Sequence, residues 1–117
     1  MLQWAVIVFA IGALGGVVLA TSVLRGKLAP WALSVLHALL GATGLVLTAI
    51  VVFGLSGTVA PHAGIALVLL VIAALGGFFL ASFHVRNRPG PKAVVLIHAG
   101  VAVTGFVLLA GGAFSLF

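Results

Sequence analysis

Four histidines, His37, His62, His84 and His98, are the only side chains in this sequence that titrate near neutral pH. Asp, Glu, Cys and Tyr are absent throughout. That set of absences decides which chemistry is open. Without a carboxylate there is no acid–base dyad, no Ser-His-Asp triad, no calcium site and no carboxylate-bridged di-iron centre. A transporter built on a membrane-embedded acid would need a partner to supply the acid. Without Cys there are no disulfides, thiolate metal sites or iron–sulfur clusters. An imidazole can still share hydrogen bonds, or ligate a metal through a ring nitrogen.

The surroundings of these histidines are almost entirely apolar. Hydrophobic residues make up 65% of the 117 residues and charged residues only 4%. A soluble domain needs a water-facing surface with about a quarter charged residues. This chain cannot build one, so lipid is its natural solvent. Its formal charge of +5 sits in two short stretches at the ends of apolar runs. Anionic lipid headgroups are the expected partner of those cations, and nucleic acid is not.

Four apolar runs can carry the histidines: 2–24, 31–55, 62–83 and 93–117. Each is long enough to span a bilayer core, which takes roughly 20 residues of helix. The connections between them are short and contain Pro and Gly, so sequential helices should be antiparallel neighbours. The expected fold is all-α, a membrane four-helix bundle in one domain over 1–117. The first run lacks a basic leader and is read as a retained helix rather than a signal peptide. Arg25 and Lys27 lie in the first connection, and Arg86, Arg88 and Lys92 in the third. The second connection and both ends carry no charged side chain. The positive-inside rule puts the basic connections in the cytoplasm and both termini on the other side, as expected for a multi-pass protein of a bacterial inner membrane.

The sequence also repeats itself. Shifted by 61 residues, positions 14–50 match 75–111 without a gap, with 15 of 37 identical. Leu, Val, Ala and Gly match by accident in such a composition. Arg25/Arg86, Pro30/Pro91, His37/His98 and Thr43/Thr104 are rarer types, and all coincide in one register. The repeat is read as a duplicated helical hairpin covering about 1–56 and 62–117. Two hairpins of the same topology should be related by a pseudo-two-fold axis along the membrane normal. In a ring of four helices, the second and fourth lie on a diagonal. His37 and His98 then face each other at one depth. Each lies seven residues past its proline, about 10 Å inside the basic boundary.

An ionisable residue at that depth needs a partner and is a functional-site hypothesis by default. Haem iron accepts two axial imidazoles from opposite faces. Ser34, His37, Gly41, Gly44 and Thr48 share one face of the second helix, and His98, Ala102 and Gly105 the matching face of the fourth. Gly41, Gly44, Ala102 and Gly105 are expected to leave room for a macrocycle. Arg25 and Arg86, with the other cations, are expected to pair with haem propionates. On these residues the chain resembles, in architecture, membrane four-helix b-type cytochromes of the cytochrome b561 group. The resemblance implies an electron-transfer subunit holding haem b between His37 and His98 and working with quinone or a larger redox complex. That group commonly holds two haems, but this sequence has no second deep pair, so one haem at most is implied.

Other readings stay open beside this one. The histidines could bond each other, a water or Ser34, in a cofactor-free accessory subunit of a larger membrane complex or a homo-oligomer. A small transporter is the third reading. Gly12, Gly16 and Ala20, with Ala73, Gly77 and Ala81, form small-residue stripes expected to pack helices closely. Thr43 and Thr104 are expected to bond their own helix carbonyls. His84 is read as an interfacial residue, able to bond a propionate or a quinone carbonyl, and His62 is given no role. Trp4 and Trp31 are read as interfacial anchors.

Overall fold

The computed structural model describes residues 1–54 and 62–116. They form four helices: α1 (Leu2–Leu24), α2 (Trp31–Phe53), α3 (Ala63–Val85) and α4 (Lys92–Ala113). All four are long and apolar enough to cross a membrane. A 23-residue helix is about 34 Å long, against a bilayer core of about 30 Å. The chain is a multi-pass all-α bundle. The second connection and the last residues expected in two of the helices, 55 and 117, lie outside the described residues.

The helix ends follow from local chemistry. Pro30 and Pro91 precede α2 and α4 with φ of −59° and −60°, and each carbonyl accepts from the first turn that follows. After α1, Gly26 is left-handed with φ of 73°; its N–H donates to the Val23 carbonyl and the Lys27 N–H to that of Ser22. This is a Schellman closure. The second copy ends α3 in the same way. Asn87 is left-handed with φ of 57°, its N–H donates to the His84 carbonyl and the Arg88 N–H to that of Phe83. Gly adopts this conformation freely, and Asn does so more readily than most residues. The closure lets α3 run to Val85, two residues past the end expected from hydropathy. His62 is also left-handed, with φ of 65°, so α3 starts at Ala63. A left-handed Ser115 closes α4, which stops at Ala113.

The helices form a ring. Each packs on its two chain neighbours or, for α1 and α4, on each other. Among the described residues neither diagonal pair, α1/α3 or α2/α4, brings Cα atoms within 8 Å. The space along the axis is therefore filled by side chains alone, and unevenly. The buried core joins Leu2, Ala5, Val6, Val51, Ala63, Ala66, Leu70 and Leu109. All of these belong to the half away from the basic connections. In the basic half, Val95 is the only buried side chain among the described helical residues. The bundle is tight at one end and loosely closed at the other.

Apolar side chains project all around the outside. Hydroxyls on that surface bond inward to their own helix: Thr21 donates to the Val17 carbonyl, Ser22 to Val18, Thr43 to Leu39 and Thr104 to Gly100. Lipid offers them no other partner.

Both copies use one packing device at the boundary between the halves. Phe9 of α1 seats on Gly44 of α2, and Leu70 of α3 seats on Gly105 of α4. These pairs are related by the 61-residue offset. A Cβ on Gly44 would come within 2.6 Å of the Phe9 ring, whereas one on Gly41 would meet nothing within 4 Å. Gly44→Ala should therefore cost about 1–3 kcal/mol by overpacking, and Gly41→Ala should be nearly neutral. Shortening the opposing ring, Phe9→Leu, should recover much of the Gly44→Ala loss. Thermal unfolding in detergent checks this; equal losses for the two glycines would contradict the packing described.

Candidate functional site

His37 and His98 project from the two diagonal helices into the loosely closed half. Their ring centres are 6.3 Å apart and their planes are inclined at 79°. Each Nδ1 lies against a backbone carbonyl of its own hairpin: His37 Nδ1 is 2.9 Å from the Gly12 oxygen, and His98 Nδ1 is 2.7 Å from the Ala73 oxygen. Gly12 and Ala73 are again 61 residues apart, so the two histidine sites are built alike. A carbonyl oxygen can only accept. Nδ1 is therefore the protonated nitrogen in both rings, and in the neutral imidazole Nε2 carries the lone pair. This is the arrangement by which ligating histidines are oriented, with one ring nitrogen held by the protein and the other left for the metal.

The stripe of small residues on α1 and α3 explains how the rings fit. A Cβ on Gly16 would lie 2.9 Å from His37 Cε1, and one on Gly77 would lie 3.2 Å from His98 Cε1. Gly15 and Gly76 lie against the Cβ atoms of the same histidines. The small-residue stripes thus receive imidazoles as well as backbone. Their repeat spacing alone pointed to helix packing; the missing signal was which opposite side chain each glycine faces.

The other expected site residues divide. Gly41 borders open space, and Ala102 is half-buried on the matching face. Gly44 and Gly105 are covered by Phe9 and Leu70, so any room for a flat ring lies on the basic side of those two. Arg25 and Arg86 cap α1 and α3 at the same end of the bundle as the histidines, and Lys92 opens α4 there. The Arg86 Nε–H donates to the Ser82 carbonyl, and its guanidinium lies 4.6 Å from the Phe83 ring centre. Neither histidine of the pair reaches Ser34. That hydroxyl instead shares a 2.9 Å hydrogen bond with His84 Nδ1, while Trp31 stacks on the His84 ring at 4.1 Å. The α2–α3 cross-link they form was not foreseen from the sequence, because His84 has no counterpart in the first copy.

Two imidazoles bound from opposite sides of one metal atom at about 2.0–2.1 Å place their ring centres about 6 Å apart. The observed separation is of that size, and it is also an edge-to-face contact distance. The described residues include no cluster of three or more metal-ligating side chains, so a tetrahedral zinc site would be half empty. A centre that brings its own equatorial ligands, as haem does, suits two imidazoles. No protein-family model, curated protein or solved structure matches this chain.

The tautomer is directly measurable. Nitrogen-15 spectra of labelled protein above neutral pH should show both His37 and His98 protonated at Nδ1. Protonation at Nε2 in either would contradict the carbonyl bonds. Gly16→Leu should break the His37 pattern first, because a branched side chain there takes the space of the ring.

Proposed function

We propose that the chain is a small membrane electron-transfer subunit that holds one b-type haem between His37 and His98. The observation that carries this reading is the facing pair itself: two rings 6.3 Å apart, each oriented through Nδ1 by a carbonyl and each with Nε2 uncommitted in the neutral state. A purely structural pair would bond ring to ring, through a water or to Ser34; Ser34 is engaged with His84 instead.

In this reading His37 and His98 would hold the haem iron, and Gly12 and Ala73 orient the two rings through their carbonyls. Gly16 and Gly77 leave the rings in place. Phe9 and Leu70, seated on Gly44 and Gly105, close the deep side and keep water from crossing. Cations at the basic end, Arg25 among them, would neutralise propionates where no carboxylate of the protein competes. A bound haem supplies a one-electron centre whose potential is tuned by these ligands and by the apolar surroundings. With one such centre on one side of the membrane, the chain works with quinone or as part of a larger redox complex. The architecture resembles that of the cytochrome b561 group on these features. The charge bias orients the basic end to the cytoplasm of a bacterial inner membrane, with both termini outside.

A second reading is favoured by two observations. Phe9 and Leu70 fill the places beside Gly44 and Gly105, and a ring-centre distance of 6.3 Å also falls within the range of edge-to-face aromatic contacts. In that reading the chain is a cofactor-free accessory subunit, its outer apolar face docked on a larger complex or on another copy.

The purified protein should show a Soret band, and a reduced α-band with dithionite, at one haem per chain. His37→Ala and His98→Ala should each abolish the bound haem while leaving helicity intact. A preparation that stays colourless after haem supplementation would refute the haem reading and leave the accessory one. Orientation is checked separately, because the chain has no native Cys. A membrane-impermeant maleimide should label Ser115→Cys in spheroplasts and Leu28→Cys only after lysis.

A further inference from the structure

The bundle has two seams between hairpins, α2 against α3 and α4 against α1. The 61-residue offset makes them equivalent, but three positions near the basic end differ in kind. Trp31, Ser34 and His84 in the α2–α3 seam correspond to Lys92, Val95 and Val23 in the other. The α4–α1 seam is sealed by apolar packing, with Val95 only 4% exposed. In the α2–α3 seam, Ser34 and His84 are half-buried and hydrogen-bonded, and Trp31 is largely exposed beside them. Val at the equivalent positions shows that holding the helices together does not require a hydroxyl and an imidazole there. The polar groups are thus an addition to this seam that packing alone does not call for.

We propose that the α2–α3 seam at the basic end binds the head group of a membrane quinone, with Ser34 and His84 as its hydrogen-bond partners and Trp31 as its aromatic wall. The hydroxyl and the imidazole can each donate and accept. That suits a ligand whose oxygens are carbonyls in one redox state and hydroxyls in the other. Trp31 is 47% exposed at the outer surface beside the pair, where a lipid-soluble ring would reach it from the bilayer. The seam also leads inward: Ser34 lies three residues, less than one turn, before His37 on the same helix. A lipid phosphate is the poorer occupant. The cation nearest in sequence, Arg86, is held on its own helix by the Ser82 carbonyl and the Phe83 ring.

This assignment rests on the electron-transfer reading for its purpose, but it can be tested without haem. A Trp4→Phe protein leaves Trp31 as the only tryptophan. Titrating that protein in nanodiscs with decylubiquinone should quench Trp31 fluorescence saturably. Ser34→Ala and His84→Phe should each raise the half-quenching concentration roughly tenfold, about 1.4 kcal/mol of lost binding. The control Val95→Ala, in the other seam, should leave it unchanged. In haem-loaded protein the same two variants should slow reduction by decylubiquinol roughly tenfold while the dithionite-reduced spectrum stays the same. Linear quenching that is identical in all four proteins, each still helical and monodisperse, would overturn the proposal. A colourless protein that retains saturable, variant-sensitive quenching would keep the quinone site and refute the haem. Lower melting temperatures in Ser34→Ala and His84→Phe with unchanged quenching would make the cross-link structural only.

Discussion

An imidazole about 10 Å inside a bilayer has no water to turn to, and everything around His37 and His98 follows from that. Its N–H must donate to protein, and in an apolar helix the acceptors within reach are backbone carbonyls. Those carbonyls already serve their own helix, but each oxygen has a second lone pair. Gly12 and Ala73 lend theirs. A side chain can reach a neighbouring backbone so closely only if the facing residues are small, so Gly16 and Gly77 stand where a methyl group would touch the rings. The stripe of small residues, the orientation of the imidazoles and the availability of Nε2 are parts of one solution.

The 61-residue offset extends from sequence to contacts. Phe9 on Gly44 and Leu70 on Gly105, His37 on Gly12 and His98 on Ala73, and the left-handed closures at Gly26 and Asn87 are the same interactions made twice. Where the copies diverge, the divergence is local. Thr48 and Leu109 occupy equivalent, fully buried positions in the tight half. The Thr48 hydroxyl donates to the Gly44 carbonyl, so the polar partner adds no unsatisfied group. Another divergence is the α2–α3 seam at the loosely closed end, where Ser34 and His84 correspond to Val95 and Val23 of the other copy, and Trp31 to Lys92. A repeated pair of histidine sites therefore sits beside a polar cross-link that the repeat does not copy.

Much of this was legible in the residues, for physical reasons. Apolar run length fixed the number of helices, and the coincidence of Arg, Pro, His and Thr fixed the register of the repeat. The same register put His37 and His98 on diagonal helices at one depth. Helix ends were less legible. Hydropathy does not distinguish a residue in a helix from one in its closing turn, so α3 runs past its expected end to Val85 and α4 stops short at Ala113. Side-chain pairing between helices was least legible of all. Gly44 and Gly105 have the spacing of a roomy face, but whether that room is open depends on Phe9 and Leu70, which lie more than 30 residues away in the chain. Ser34 and His84 are 50 residues apart with no symmetry mate to announce them.

In the proposed haem reading, His37 and His98 would hold one iron between two imidazoles that are inclined at 79° in this structure. Electron paramagnetic resonance of the oxidised, haem-loaded protein tests it most directly. The expected result is one low-spin ferric species with a highly anisotropic signal, as for two imidazoles inclined at 79°. High-spin iron, or a signal that survives replacement of either histidine, would contradict it.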